Sequence, residues 1–415
     1  MQKVFFKTFG CRTNQFDTQV MMSKLKEFEL SMNEKASDII IVNSCTVTNG
    51  ADSSVRHYIN SVKRNNPQAR VVLAGCGSHS KGESLFSDEK VFGVIGHSEK
   101  EKINEILKKS DRFYEIGDLK HIDSTIVEEF VGKSRAFIKI QEGCDFRCSY
   151  CIIPHVRGDA RSHREETILS QIEKLAGNGF GEFILTGTNV GSYGQDQGSS
   201  MAKLLKRMSM IRGVRRIRIG SLEPIQIDDE FKELLSEPWM ARHLHIALQH
   251  TSDKMLELMN RRNRFENDIK LFEEIASQGY ALGTDYIVGH PGETEEEWKE
   301  AIARVRALPL THIHAFSYSK RDGTPSAKMH PVIRGDIAKE RHKELSSVVK
   351  EKNFAFRKSH RDNLEVLLEN GKEDVYQGFD QYFNKVQVKS NEDLSSNWVF
   401  LNDVEVNREG NQAQL

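Results

Sequence analysis

Short apolar runs alternate with amphipathic stretches through the first hundred residues. Val4–Phe6 begins a strand-like run that ends at Gly10-Cys11, and from Asp17 to Phe28 the residues Val20, Met21, Leu25 and Phe28 share one face at helical spacing. Ile39–Val42 reads as a buried strand running into Asn43-Ser44-Cys45. A helix follows from Ala51 to about Arg64, and the strand Val71–Ala74 ends in Gly75-Cys76. Residues 111–134 are polar and irregular and read as a linker. From Ala136 to about Lys350 the strand–helix rhythm resumes, with strands expected at Phe137–Ile140, Phe183–Leu185, Ile217–Ile219, Leu244–Leu248, Leu282–Val288 and His312–Ser317. Ile168, Ile172 and Leu175 give one intervening helix its apolar face. Six such units fit an open or partial parallel barrel, short of the full eight. After about Phe354 the pattern changes to short β-like segments, Leu364–Leu368, Phe383–Val388 and Val399–Val406. The expected fold class is therefore α/β in three parts. These are a parallel α/β sheet domain over residues 1–125, a partial (βα)6 barrel over 134–352, and a small β domain over 355–415.

Composition narrows the function classes. The 415 residues are 38% hydrophobic and 29% charged, which excludes disorder over most of the chain. Lys plus Arg number 59 against 60 Asp plus Glu, a net charge of −1, so any polyanion contact must rest on local patches. The amino-terminal MQKVFFKTFG lacks the apolar core of a secretory signal, and no apolar run approaches membrane-spanning length. A cytoplasmic protein with no membrane partner is expected, and its cysteines are expected to be reduced rather than paired as disulfides.

The six cysteines fall into two groups of three. Cys11, Cys45 and Cys76 each lie just past the carboxyl end of a predicted strand, in the repeated pattern FGC, NSC and AGC. In a parallel sheet those ends share one edge, where ligands commonly bind, so the three thiols can meet despite their sequence separation. The alternative is three buried cysteines acting as small hydrophobes. Cys144, Cys148 and Cys151 form C-x3-C-x2-C on a loop after a strand. Three thiolates on one loop can hold three irons of a four-iron, four-sulfur cluster and leave the fourth iron open to a ligand. The alternative is zinc, since His155 completes a Cys3His set. Against zinc, free-standing zinc fingers do not usually open a βα barrel, and Ile152-Ile153-Pro154 reads as apolar packing inside the motif.

With Tyr150 before its last cysteine, EGCDFRCSYCIIPHVRG resembles the radical S-adenosylmethionine (SAM) superfamily. HIALQHTSDKMLELMNRR, DYIVGHPGETEEEW and FSYSKRDGTPSAKM resemble successive blocks of its methylthiotransferase family, and the resemblance spans nearly the whole chain. It implies that Cys144, Cys148 and Cys151 hold a [4Fe-4S] cluster that reductively cleaves SAM to a 5′-deoxyadenosyl radical. It also implies a second [4Fe-4S] cluster on Cys11, Cys45 and Cys76 that carries the sulfur, a terminal RNA-associated TRAM-like domain, and an electron donor such as flavodoxin or ferredoxin. Radical chemistry suits an acceptor C–H bond without useful acidity, which general acid–base groups cannot activate at neutral pH.

Strand ends suggest further contacts. Gly187-Thr188-Asn189 is placed like the superfamily's methionine-binding turn, Ser221 and Glu223 in SLEP are candidates for ribose hydroxyls, and Gln249 ends another strand at the same mouth. Each also reads as a tight turn or, for Glu223, as a helix cap before Pro224. His290 is assigned no role. Two basic clusters are candidate RNA contacts, Arg212, Arg215, Arg216 and Arg218 in one and Arg261, Arg262 and Arg264 in the other, with Asn260-Arg261-Arg262 favoured. FGCRTNQFDT, NSCTVTNGAD and RGDARS resemble the family's MtaB-like branch, which acts on N6-threonylcarbamoyladenosine at position 37 of tRNA. The alternatives are isopentenyladenosine in tRNA or a small-subunit ribosomal protein, and, more distantly, a non-catalytic RNA-binding protein with structural metal. One feature dissents from an RNA acceptor: residues 357–415 hold seven Lys/Arg and eleven Asp/Glu, a net of −4.

Overall fold

The computed structural model describes residues 1–128, 130 and 133–415. Six parallel strands make the first sheet: β1 (Lys3–Thr8), β2 (Glu29–Leu30), β3 (Ile39–Ser44), β4 (Arg70–Gly75), β5 (Gly93–Ile95) and β6 (Phe113–Glu115), in the order β2-β1-β3-β4-β5-β6. The central strand β3 is buried along its whole length because both faces are covered: Ile39 and Ile41 enter one apolar core, Ile40 and Val42 the other. The first helix runs Arg12–Lys24, starting directly after Cys11 and ending before Phe28, not from Asp17 as the apolar period suggests. Its inward positions Thr13, Asn14, Asp17 and Thr18 are polar yet buried, so a hydrophobic pattern does not reveal them. The expected linker 111–134 also needs correction. It begins with β6, and farther on Asp123 is buried while Val127 and Phe130 enter the core of the next unit.

The barrel is built from β7 (Ala136–Lys139), followed by a short hairpin, β8 (Gln141–Glu142) and β9 (Arg161–Ser162), and then β10 (Glu182–Thr186), β11 (Arg216–Ile219), β12 (His243–His245), β13 (Ala281–Val288) and β14 (His312–Ser317). Parallel ladders link β7-β10-β11 and β12-β13-β14, and the parallel bridges Ile217–Met240 and Leu222–Ile246 join the two halves. The six strands thus form a partial parallel barrel whose carboxyl ends share one mouth.

A helix over Gly335–Ser359 continues beyond Lys350 and leads into a second sheet of β15 (Leu364–Leu368), β16 (Val375–Phe379), β17 (Lys385–Lys389), β18 (Trp398–Leu401), β19 (Glu405–Val406) and β20 (Asn411–Gln414). The order is β18-β15-β16-β17-β20-β19. β16 and β20 are absent from the sequence reading because each places few apolar side chains inward. This sheet docks on the barrel through charge. Glu365 accepts from Arg215 and Arg216, each at 2.7 Å, Glu369 pairs with Arg135 at 2.7 Å, and Arg218 donates to the Asp380 carbonyl at 3.0 Å. Glu182 at the base of the barrel takes Arg216 at 3.0 Å and Arg218 at 3.1 Å. Arg215, Arg216 and Arg218, expected as RNA contacts, are therefore engaged in this seam. Among the described residues, no helix is long and apolar enough to cross a membrane.

Candidate functional site

The loop bearing Cys144, Cys148 and Cys151 opens at the barrel mouth and is held from several sides. Cys144 N–H donates to the Gly158 carbonyl at 3.0 Å and Cys151 N–H to the Cys148 carbonyl at 3.0 Å, which closes a tight turn. Between them Ser149 N–H reaches the Met259 carbonyl at 3.0 Å, and Ser149 Oγ donates to the Leu258 carbonyl at 2.8 Å. Ser326 Oγ contacts Ser149 Oγ at 2.8 Å and His290 Nε2 at 2.7 Å. His290 is fully buried and pulled down to about 4 by that burial, so it is a neutral strut behind the loop. Tyr150 packs beside Met255, Met259 and Ile287.

The residues expected around this loop converge on it unequally. Thr188 Oγ1 donates to the Gly143 carbonyl at 2.5 Å, Asn189 N–H to Gln141 Oε1 at 2.8 Å, and Asn189 Nδ2 lies 3.6 Å from Cys144 Sγ. Gly187 sits against the Gln141 backbone, where a β-carbon would come within 2.8 Å of the carbonyl oxygen. Asn189 Oδ1 is buried with no hydrogen-bond partner, an acceptor left for a ligand. Glu223 caps the short helix Pro224–Gln226 and also accepts from Arg261 Nη1 at 2.7 Å. Arg261, expected at an RNA surface, is 5% exposed, donates to the Ala247 carbonyl and lies 3.9 Å from Cys148 Sγ. A guanidinium so enclosed cannot meet a phosphate backbone, and it belongs to the cysteine loop. Its neighbours Asn260 and Arg262 are exposed; Asn260 donates to the Arg147 carbonyl at 2.7 Å and Arg262 stands over the Phe146 ring at 4.5 Å. Ser221 Oγ turns to Asp285 at 3.2 Å, and Gln249 pairs by its backbone with Asp285 and Ile287.

Cys11, Cys45 and Cys76 gather on the carboxyl edge of the first sheet. Gly10, with φ at +94°, brings the chain so close that a β-carbon there would come within 2.6 Å of Cys45 Cβ. Burial, reinforced by the Cys76 and Cys11 thiols, pushes Cys45 up to about 12. Burial also raises Cys76, against which Arg157 works by donating Nε–H to Cys76 Sγ at 3.2 Å. Arg157 ends the helix Ile153–Arg157 that begins two residues after Cys151, so one short element ties the two cysteine groups together. A cavity of about 610 Å³ lies beside it, lined among others by Cys45, His79, Ile152, His155 and Arg321. His155 thus faces the Cys45 side.

Beneath Arg157 lies a feature that the sequence did not reveal. Asp17, Asp123 and Glu142 alternate with Lys100, Lys139 and Arg157 in a buried cluster, with Lys139–Asp17 at 2.6 Å, Lys100–Asp123 at 2.9 Å and Arg157–Asp17 at 2.9 Å. Burial opposes charge on Asp17, Asp123, Glu142, Lys139 and Arg157, but the mutual attraction prevails. It holds the three carboxyls below their ordinary range and Lys139 and Arg157 above theirs. The cluster joins the first sheet's helix, the connecting segment and β7–β8, which fixes the two cysteine groups relative to each other.

The family models and the relatives agree on what this arrangement is. Residues 3–96 match the model described as "Uncharacterized protein family UPF0004", and residues 138–305 match the Radical SAM superfamily. A Helicobacter pylori protein is 51% identical over the full length of both chains. The threonylcarbamoyladenosine tRNA methylthiotransferase MtaB of Aquifex aeolicus is 35% identical over 85% of this chain and 89% of its own. The chain belongs to the MtaB-like radical SAM methylthiotransferases. A solved radical SAM methyltransferase, TsrM of Kitasatospora setae, shares the fold with a TM-score of 0.60 at 16% identity, covering 78% of this chain and 77% of that one.

This methylthiotransferase is a radical SAM enzyme, so a [4Fe-4S] cluster and SAM are its cofactors. The donor set of the barrel loop fits such a group. A mononuclear zinc, with Zn–S near 2.3 Å in a tetrahedron, needs sulfurs about 3.8 Å apart. Among the described residues, the trios of metal-binding side chains whose ligand atoms all lie within 4.8 Å of one another are four His/carboxylate groups, and neither cysteine trio is among them. The wider spacing suits a polynuclear cluster.

Proposed function

We propose that this enzyme transfers a methylthio group to C2 of N6-threonylcarbamoyladenosine at position 37 of tRNA. The observation that carries the proposal is the helix Ile153–Arg157, which leaves Cys151 at one end and donates to Cys76 at the other. Radical generation and sulfur delivery need two such sites facing one acceptor. In this reading Cys144, Cys148 and Cys151 hold the cluster of the barrel loop, and Cys11, Cys45 and Cys76 hold a second [4Fe-4S] cluster. When bound, the first group supplies the electron that cleaves SAM and the second the sulfur.

The protein's own groups orient and enclose. Tyr150, Gly187, Thr188, Asn189, Ser221, Glu223 and Gln249 border the SAM site, with the orphaned Asn189 carbonyl oxygen ready to accept from the substrate. Arg261 holds Glu223 and offers positive charge beside Cys148. Asn260 and Arg262, exposed at the same rim, meet the tRNA. A small electron carrier such as flavodoxin or ferredoxin serves the barrel loop, and the enzyme works in the cytoplasm, where its tRNA is. The relatives named MtaB support this acceptor over isopentenyladenosine or a ribosomal protein.

The test is mass spectrometry of tRNA nucleosides from a strain lacking the protein and from the same strain with it restored. 2-Methylthio-N6-threonylcarbamoyladenosine should vanish and return. Restoration with Cys148→Ala should fail, and the purified variant should form no deoxyadenosine from SAM. Cys45→Ala should still form deoxyadenosine while leaving the nucleoside unmodified. An unchanged nucleoside pool in the deletion strain would overturn the acceptor assignment.

A further inference from the structure

The inner face of the barrel carries a column of polar side chains that the reaction as described leaves unused. His243 and His245 on β12 and His312 and His314 on β14 flank Gly283, where a β-carbon would come within 2.7 Å of His245 Nδ1 and 3.1 Å of His243 Nε2. Glycine there lets the rings close over the strand. Asp285 lies 3.1 Å from His245 and 3.3 Å from His314, and its contact with Ser221 at 3.2 Å ties the column to the mouth. At the other end the His243 ring lies 5.1 Å from the ring of Phe383. The guanidiniums of Arg12 and Arg218 stand over that same ring at 5.3 Å and 4.9 Å. Arg12 directly follows Cys11, and its side chain reaches the Phe383 end of the column.

The Arg12 end is short of an anion. Arg12 is half-buried and has no hydrogen-bond or ion-pair partner among the described residues, and its guanidinium shares the Phe383 ring with that of Arg218. Arg218 is 1% exposed with one terminal nitrogen unpartnered, and His243 is 4% exposed with both ring nitrogens unpartnered. Arg12, Arg135, Arg215, Arg216 and Arg218 stand with Glu182, Glu365, Glu369 and the buried Asp380, five cations against four carboxylates, and among the described residues Arg12 is the one of the five that pairs with none of them. A cation half-withdrawn from water without a partner is costly, and a carboxylate is the group that a guanidinium binds best. Arg12 also opens a thirteen-residue helix, whose amino end favours negative charge.

We propose that Arg12, supported by Arg218 and His243, binds the carboxylate on the N6 substituent of the acceptor adenosine and so selects a carboxylate-bearing base over one with an apolar N6 group. The proposal rests on the acceptor assigned above. An apolar substituent would leave Arg12 enclosed and unpaired, which is how a polar site rejects a near-isostere. Asp285 and His245 would meet the polar atoms between the ring and the carboxylate.

The test uses the reduced holoenzyme and two tRNAs, one bearing N6-threonylcarbamoyladenosine and one with that carboxyl converted to its methyl ester. For the unaltered enzyme, esterification should raise KM roughly 10- to 100-fold with a smaller change in kcat. Arg12→Gln should raise KM for the acid by a similar factor and treat acid and ester alike, and Arg12→Lys should regain part of the preference. Equal use of acid and ester by the unaltered enzyme would overturn the inference. So would a KM increase in Arg12→Gln that is the same for both tRNAs, since that marks a backbone-phosphate or structural role. Inactivity of the unaltered enzyme on the acid tRNA would overturn the acceptor assignment and this inference with it.

Discussion

Lys139→Met tests whether the buried charge cluster holds the two cysteine groups in register. Lys139 is fully buried, 2.6 Å from Asp17 and 3.4 Å from Glu142, and is also paired with Asp123. Met keeps most of the stem and removes the cation, so Asp17 keeps Lys100 and Arg157, Glu142 keeps Arg157 and Arg161, and Asp123 keeps Lys100 as its remaining lysine. Removing one partner of a buried ion pair costs about 3–5 kcal/mol. That is a large share of the roughly 5–15 kcal/mol that holds a domain folded, and corresponds to a fall in thermal midpoint on the order of 10 °C. The pH dependence has a definite sign. In the unaltered protein the carboxyls of Asp17, Asp123 and Glu142 are held low, because their cations outweigh the burial that opposes charge. Their contribution is therefore full above the unfolded carboxyl range near pH 4 and is lost only as pH falls through the lower folded values. Without Lys139 burial is less opposed, so one carboxyl titrates upward and the folded variant takes up a proton between pH 8 and pH 5. The gap between the two proteins should thus be widest at pH 8 and narrow toward pH 5. Anaerobic thermal unfolding followed by tryptophan fluorescence at both pH values measures it. The variant Lys139→Met/Asp123→Asn, which also removes the carboxylate that Lys139 shared with Lys100, should recover part of the loss. A gap below about 1 kcal/mol, one that does not change with pH, or strict additivity in the double variant would refute the reasoning.

Three further predictions concern the thiols and the seam. In cluster-free protein Cys45 and Cys151 stand near 12, chiefly through burial, so loading iron must expel their protons and should strengthen as pH rises from 7 to 9; loading that is flat over that range would contradict this. Alkylation of that protein at pH 8 should label exposed Cys11 first and leave Cys45 and buried Cys76 slowest, and uniform labelling would be the contrary result. Glu365→Gln weakens the pairs with Arg215 and Arg216 and should loosen the terminal sheet by roughly 1.5–3 kcal/mol, read as faster hydrogen exchange or proteolysis beyond residue 360; unchanged protection would show the seam to be held otherwise.

What the sequence makes legible is the part that obeys hydrophobic period. Ile39–Val42, Val71–Ala74 and the barrel strands are apolar runs bounded by turn residues, and they lie within a residue or two of their expected ends, apart from Leu244–Leu248, of which only His243–His245 is regular strand. The cysteines announce themselves because each follows such a run. The segments that escape are those where burial falls on polar side chains. The helix Arg12–Lys24 buries Thr13, Asn14 and Asp17, and residues 111–134 look like a solvated linker because Asp123 is charged, although it is buried among Lys100 and Lys139. A single sequence gives a buried charge and a surface charge the same letter, and only the fold separates them. Arg261 is the clearest case: NRRNR reads as a phosphate-binding run, yet its first arginine points inward to Glu223 while the second stays out. The histidine column has a faint signal, two His-x-His pairs on predicted strands, which period-two alternation places on one face.

The same distinction resolves the acidic terminal domain. A net of −4 over residues 357–415 would favour a basic partner only if that charge were spread over the outer surface. Two of its carboxylates, Glu365 and Glu369, point instead into the seam, where they neutralise barrel arginines. What faces out beside the barrel has a different character. A groove of about 700 Å³ there is lined by Phe354, Phe379 and Phe383 together with Lys385 and Arg408, with Arg357 buried behind it and held by Asn353, Asn407 and Asn411. Phe354 has the guanidiniums of Arg357 and Arg408 and the Lys358 ammonium over its ring at 5.8, 5.3 and 4.5 Å. Aromatic faces beside cations form the surface that single-stranded nucleic acid uses, since bases stack while the backbone meets the charge. Glu351 pairs with Arg408 at the edge of the groove and tempers its field. The net charge of the domain therefore says little about its partner. Where its carboxylates point, inward to arginines that would otherwise be buried without counter-ions, leaves an RNA acceptor compatible with an acidic domain.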